Sequence, residues 1–271
     1  LKEKIDPYLR PLYDALFDRC GVIRVDTPPD LMETLKFLVI SGVPKANRVA
    51  GFTCSGGGAT MLADRAEKIG LEFPPIPAAT TKALAALLPP IATVSNPLDY
   101  TTPIWGDPAR TGPVFAAAMD QTQAAAAVLV QDYPAPGLDE SLVYYRNDAA
   151  AFLAAARTRG LPSAVLATLH ENIDPDTRIW LASQGCTPLL GIAEGLSAMR
   201  NAVWWGGRQR ALAEMTPAPL KAASPPGNLR SLTEAESKAF LSRNGLPVPK
   251  ARLTTSAGLE AAATGLRFPL V

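Results

Sequence analysis

A parallel β-sheet covered by helices on both faces is the fold class this sequence predicts, and three observations predict it. From Arg48 onward, short apolar runs alternate with stretches of helical spacing. Ala124 to Val130 is a continuous apolar run bounded by Gln123 and Gln131, the pattern of a strand buried on both sides. Asn47 to Gly70 joins a strand to an amphipathic helix through a glycine turn, and every other stretch can be placed relative to it.

The elements follow in chain order. Tyr8 to Arg19 has helical spacing in Leu9, Leu12, Leu16 and Phe17, Gly21 stops it, and Val22 to Val25 reads as a short strand. Asp30 to Ile40 is a second helix, with Leu31, Leu35 and Leu38 on one stripe. Arg48 to Thr53 is the organising strand, Ser55 is a good N-cap for a helix through Ile69, and Gly70 ends it. A helix from Thr80 to Leu88 is closed by Pro89 and Pro90, and Ile91 to Val94 is a candidate strand. Asn96-Pro97-Leu98-Asp99 is a turn signature before a helix from Asp107 to Met119. After the Ala124 to Val130 strand come a helix from Leu138 to Arg159, a strand from Ser163 to Leu169 and a helix from Pro175 to Gln184. Thr187 to Leu190 is a short strand and Ile192 to Trp205 the helix after it. The nearest architecture is a flavodoxin-like doubly wound sheet, whose ligands lie outside the carboxyl ends of the strands.

Thr216 to Asn228 is rich in Pro, Ala and Ser and reads as a linker. Ser231 and Glu234 have capping-box spacing at the start of a helix through Arg243. Ala251 to Leu253 then reads as a strand, Ser256 to Ala263 as a helix and Phe268 to Val271 as the start of another strand. The expected division is therefore 1–42 as the tail of a preceding unit, 43–215 as the doubly wound domain, 216–230 as linker and 231–271 as the opening of a further domain. A closing apolar strand without its sheet suggests a piece of a longer polypeptide.

The 271 residues are 48% hydrophobic and 19% charged, with a formal charge of +1, a globular composition. No basic cluster interleaves with aromatics, so no nucleic-acid partner is expected. No apolar run approaches the roughly 20 residues of a membrane span, and Leu1 to Arg10 lacks a signal-peptide pattern, so the expected location is cytoplasmic. Cys20, Cys54 and Cys186 are odd in number, without a CxxC pair, which indicates neither a disulfide framework nor a zinc site. Cys20 and Cys186 read as small buried residues. Cys54, beside a helix N-terminus, either packs or carries a lowered pKa and reacts.

The chemistry-bearing stretch is Ser55-Gly56-Gly57-Gly58. Helix N-termini present unpaired N–H groups and the positive end of the macrodipole, and glycines let a ligand approach the backbone. An anion site and a merely tight strand-to-helix turn both satisfy this pattern. Asp99 caps or orients the chain before Tyr100 and Thr101. Tyr133, Pro134 and Pro136 follow a strand and so either face the ligand end or shape a loop. His170, the single histidine, also follows a strand, and Ser55, Asp132 and His170 stand in the chain order of an α/β-hydrolase triad. The GxSxG elbow is missing, since Thr53 and Gly57 flank the serine at two residues, which favours a surface or packing histidine.

Thr53-Cys54-Ser55-Gly56-Gly57-Gly58-Ala59, the Ala63-Asp64 pair, Gly70-Leu71, the Leu87-Leu88-Pro89 helix end and Asn96-Pro97-Leu98-Asp99 together resemble the nucleoside-diphosphate-forming (ADP-forming) acyl-CoA synthetases. This is the acetate–CoA ligase family, related to succinyl-CoA synthetase, in which a Thr-Asn-Ser/Ala-Gly-Gly turn precedes Asn-Pro-Val-Asp; Cys54 replaces the usual asparagine. Gly21 to Val25 resembles the end of the family's phosphohistidine domain, residues 43–210 its other flavodoxin-like ligase domain, and Ser231 to Val271, with Leu246-Pro247-Val248-Pro249, the entrance of its ATP-grasp domain. The resemblance implies a ligase that makes acyl-CoA from a carboxylic acid, CoA and ATP through an acyl phosphate and a phosphohistidine. It implies CoA, ATP/ADP and Mg as cofactors, bound mostly outside this chain, and is compatible with a homo-oligomer. Ser55 would donate its hydroxyl and Gly56, Gly57 and Gly58 their N–H groups to the phosphate, with Cys54, Asn96, Asp99 and His170 around the crevice. The family's Ser-His-Thr-Gly loop, its CoA-binding Rossmann domain and most of its ATP-grasp domain have no counterpart in this sequence, and His170 falls on the wrong domain for the phosphohistidine. The resemblance thus implies a chain catalytically incomplete by itself, with a non-catalytic ligase-like module of a protein acyltransferase fusion as the alternative.

Overall fold

The computed structural model describes residues 9–135, 137, 140–215 and 230–265. The chain divides into two compact units, Leu1–Pro217 and Ala218–Val271. In the first, five strands form one parallel sheet in the order β2-β1-β3-β4-β5, the flavodoxin-like order expected. They are β1 (Val49–Thr53), β2 (Leu98–Asp99), β3 (Ala126–Val130), β4 (Ser163–Ala167) and β5 (Thr187–Leu190). The helices of this unit are α1 (Leu9–Cys20), α2 (Pro28–Ile40), α3 (Gly56–Ile69), α4 (Ala78–Ala85), α5 (Pro108–Gln121), α6 (Leu142–Thr158), α7 (Pro175–Ser183) and α8 (Ile192–Glu214).

β1, β3 and β4 are buried at every residue, because helices cover both faces, and successive side chains enter two separate cores. On the face of α5 and α6, Phe52 meets Phe115 edge-on with ring centroids 4.9 Å apart, and Phe152 and Tyr100 close the cluster. On the other face, Val49, Val128 and Leu166 pack with Phe37 of α2, Leu62 of α3 and Leu196 and Met199 of α8. α2 also reaches the outer strand: the Leu190 N–H donates to Glu33 Oε2 at 3.0 Å and Lys36 Nζ to the Pro188 carbonyl at 2.9 Å. Ser41 Oγ donates to the Ser163 carbonyl at 2.7 Å.

Several sequence expectations are corrected. Val22 to Val25 joins no ladder, and Ile91 to Val94 is not a strand; the fifth strand is Leu98–Asp99, inside the stretch read as a turn. β3 starts at Ala126, after Gln123 turns with a φ of 47°, and β4 stops at Ala167. α4 ends at Ala85, short of Leu88. α8 continues past Trp205 to Glu214: a Cβ at Gly206 would run into the Val43 side chain, so this glycine makes room for a neighbour instead of stopping the helix. Cys20 is exposed, whereas Cys186 is buried as expected.

The second unit holds α9 (Glu234–Arg243) and, after a 3-10 turn at Ser256–Gly258, α10 (Leu259–Ala263). Its capping box is formed by Thr233 and Glu236, two residues later than the Ser231 and Glu234 expected, since Thr233 accepts from the Glu236 N–H while Glu236 accepts from the Thr233 N–H. Ala251 to Leu253 pairs with no strand among the described residues. The 216–228 linker, Tyr8, Pro136, the Leu138 helix start and the Phe268 to Val271 strand lie outside the described residues.

Candidate functional site

The carboxyl end of β1, between β2 and β3 in the sheet, delivers the chain into the turn that opens α3. Thr53 is buried, and its Oγ1 accepts the Ser55 N–H at 3.2 Å. A Cβ at Gly58 would lie 2.7 Å from that same oxygen, so Gly58 lets α3 close on the end of β1. Ser55 is the N-cap, with φ −142° and ψ 125°, and its Oγ accepts the Gly58 N–H at 3.5 Å. The first N–H groups of a helix have no intrahelical partner. Here Gly58 is turned to Ser55, while Gly56 and Gly57 are exposed.

β2 runs beside β1, with Thr53 level with Asp99, and brings a carboxylate to the same turn. Asp99 Oδ2 is 3.6 Å from where a Cβ on Gly56 would stand, and Oδ1 accepts the Thr101 N–H at 2.9 Å. A negative group at a helix N-terminus is favoured by the macrodipole, and any further anion bound there must share the space with it. Thr101 has φ 65° and ψ 154°, a region that a β-branched residue enters only when its surroundings hold it, and its hydroxyl is buried without a partner.

The structure thus unites Ser55, Gly56, Gly57 and Asp99. It does not unite them with Asn96, whose amide sits level with the middle of β1. Asn96 Oδ1 accepts the Gly51 N–H at 2.9 Å, and Nδ2 donates to the carbonyls of Val49 at 2.9 Å and Pro74 at 3.0 Å. Cys54 points into the α5–α6 core, where burial first and the Asp148 charge second push its thiol above the usual range, contrary to the reactive-thiolate alternative. His170 is 56% exposed at its side chain, with Nε2 4.0 Å from Glu194. Asp132 spends its carboxylate on Thr168, accepting from N–H at 2.8 Å and from Oγ1 at 2.5 Å, so no hydrogen bond joins Ser55, Asp132 and His170 into a triad.

Sequence reasoning missed Asp148. This α6 residue is fully buried and accepts the Tyr100 OH at 2.9 Å, the Gly106 N–H at 2.9 Å and Thr111 Oγ1 at 3.3 Å. Burial pushes its carboxyl up to about 6 against the pull of those donors, and burial together with the Asp148 charge holds the Tyr100 phenol well above its ordinary range. The signal was present: Asp148 shares a helix face with Phe152, amid alanines, where an acid is out of place.

No protein-family model matches the chain. The alpha subunit of ADP-forming acetate–CoA ligase II from Pyrococcus furiosus is 32% identical over 96 residues, 35% of this chain and 21% of the relative. An ADP-forming acetate–CoA ligase from Methanocaldococcus jannaschii is 28% identical over 88 residues, 32% of this chain and 12% of the relative. Among solved structures, the dinucleotide-forming acetyl-coenzyme A synthetase 1 of Ca. Korarchaeum cryptofilum, in complex with phosphate and ADP, matches with a TM-score of 0.62 at 17% identity, over 77% of this chain and 44% of the other. A Pyrococcus horikoshii OT3 protein matches with a TM-score of 0.61 at 19% identity, over 73% of this chain and 44% of the other. The solved structures bear out the fold, and the sequence relatives bear out the resemblance to the ADP-forming acyl-CoA synthetases. The chain spans less than half the length of each of these relatives.

Proposed function

We propose that this chain is part of an ADP-forming acyl-CoA synthetase and that the N-terminus of α3 receives the phosphoryl group of a phosphohistidine. The observation that carries the reading is the exposed pair Gly56 and Gly57 at the first turn of α3, outside the carboxyl end of an inner strand in a doubly wound sheet. Phosphoryl transfer needs positioning and charge stabilisation more than covalent help, which backbone N–H groups and a helix dipole supply. Ser55 adds a hydroxyl that can turn from the long Gly58 contact to the phosphate, so Gly56 and Gly57 carry more of the interaction than Gly58.

CoA, ATP or ADP and the carboxylic acid are the partners of the whole enzyme in this reading. Among the described residues no three His, Cys, Asp or Glu side chains converge as metal ligands, and no step here is assigned to Mg. Also among them, no helix is long and apolar enough to cross a membrane; a cytoplasmic enzyme with further domains or subunits around this chain fits the reading. The division at residues 42, 215 and 230 into a ligase tail, a CoA-ligase domain, a linker and the start of an ATP-grasp domain belongs to the same proposal.

A titration of the chain with inorganic phosphate, read at the backbone amides of residues 55–58, tests it. Saturable shifts at Gly56 and Gly57, lost in Gly57→Val, are the expected result; a Cβ there meets only Ser55 Oγ at 3.6 Å, so the fold tolerates it. No response up to tens of millimolar, which corresponds to roughly 2–3 kcal/mol of binding, would make the turn structural and favour the interaction-module reading.

A further inference from the structure

We infer that Asp148 is a positioning residue for the anion site, a clamp that holds the loop from Asp99 to Gly106 so that the Asp99 carboxylate stands beside the first turn of α3. The inference rests on the anion-site reading above and adds to it a residue that lies away from the site. One oxygen of Asp148 takes the Tyr100 OH at the start of the loop, and the other takes the Gly106 N–H at its end. Asn147, the preceding residue of α6, donates to the Gly106 carbonyl at 3.2 Å, so two consecutive α6 side chains grip both sides of one glycine. Gly106 itself has a φ of 77° and is overlain by the Tyr144 ring, which leaves it no alternative place.

Between the two fixed points lies Thr101, with its left-handed φ and its unpartnered buried hydroxyl. A strained residue of this kind persists only where its neighbours over-determine it. A fully buried carboxylate, for its part, is costly unless its lone pairs are used. Each explains the other. The clamp satisfies the buried acid and keeps the peptide between Tyr100 and Thr101 turned so that the Thr101 N–H reaches Asp99 Oδ1, which directs the other Asp99 oxygen toward Gly56.

The test compares wild type, Asp148→Ala, Asp148→Asn and Tyr100→Phe in the full chain, with amide spectra and sulfate binding as readouts. Sulfate is chosen because its charge is constant near neutral pH. Asp148→Ala is expected to move the Asp99 and Thr101 amide signals and, because a displaced Asp99 takes a like charge away from the first turn of α3, to tighten sulfate binding about fivefold, the scale of one charge contact near a surface. Asp148→Asn is expected to restore both to wild type, within about twofold, because its oxygen still accepts from Gly106 and its amide can donate to the Tyr100 oxygen. Tyr100→Phe cuts one arm alone and carries the test if the alanine variant does not fold. A folded alanine variant, or failing that Tyr100→Phe, with unmoved Thr101 and unchanged sulfate affinity overturns the inference, as does an asparagine variant that behaves like alanine. Absence of sulfate binding in wild type, with Thr101 displaced by alanine and not by asparagine, overturns the anion site and leaves the clamp standing.

Discussion

Asn96 offers the sharpest separation of a scaffold role from a site role. Its amide serves the Gly51 N–H and the carbonyls of Val49 and Pro74, as a neighbouring stretch of backbone would. Asn96→Ala leaves all three without that partner. A buried group left unpaired costs roughly 1–3 kcal/mol. The site is half-buried, so water recovers part of the loss, which brings the expected destabilisation to about 3 kcal/mol. Asn96→Asp sharpens the test. The new carboxylate keeps the Gly51 N–H but turns an unprotonated oxygen toward two carbonyls, which raises its folded pKa above its unfolded one. The stability of that variant is therefore full at low pH and falls as pH rises through the folded pKa. Urea denaturation of wild type and both variants at about pH 4 and pH 7 measures these effects. An alanine variant within about 0.5 kcal/mol of wild type, or an aspartate variant that tracks wild type across that range, would refute the reasoning.

Other expectations follow from the same geometry. Asp148 has a folded carboxyl raised to about 6 from 3.8, so wild type loses about 3 kcal/mol relative to Asp148→Asn as pH rises from about 3 to 7 and changes little above that, measured by paired denaturation curves. Iodoacetamide labelling followed by mass spectrometry should modify exposed Cys20 first and Cys54 slowly, and Cys186, whose thiol is pushed up to about 12 in full burial, only on unfolding. Gly58→Ala forces a methyl to 2.7 Å from Thr53 Oγ1 and should cost about 1–3 kcal/mol and shift the Ser55 amide, whereas Gly57→Ala should cost under about 1 kcal/mol.

The parts of this fold legible in the sequence are those written locally. The strand read from Ala124 to Val130, which the structure begins at Ala126, and the N-cap at Ser55 each follow from a few adjacent residues. β2 was hidden because two residues carry no period, and because its place depends on Asn96 binding β1, a contact made 45 residues away in the chain. Ser231 and Thr233 both precede an acid by three, so spacing alone does not choose between them as the capping box. At the site, the glycine turn was visible, but the approach of Asp99 required the parallel pairing of β1 and β2. Asp148 stands in an alanine-rich helix, where a lone acid commonly faces water, and only its seat on the apolar face with Phe152 signals burial.

The hold of α2 on the outer strand has a further consequence. An edge strand displays unpaired N–H and carbonyl groups that can recruit a strand from another molecule. Glu33 and Lys36 fill that role from within the chain, meeting the Leu190 N–H and the Pro188 carbonyl of β5 with a side-chain acceptor and donor. The other side ends in a strand of only two residues, too short to template much pairing. Both margins of the sheet are thereby guarded, and a version of the chain begun after Ser41 would lose Phe37 from one core and expose the longer margin together, and so tend to aggregate.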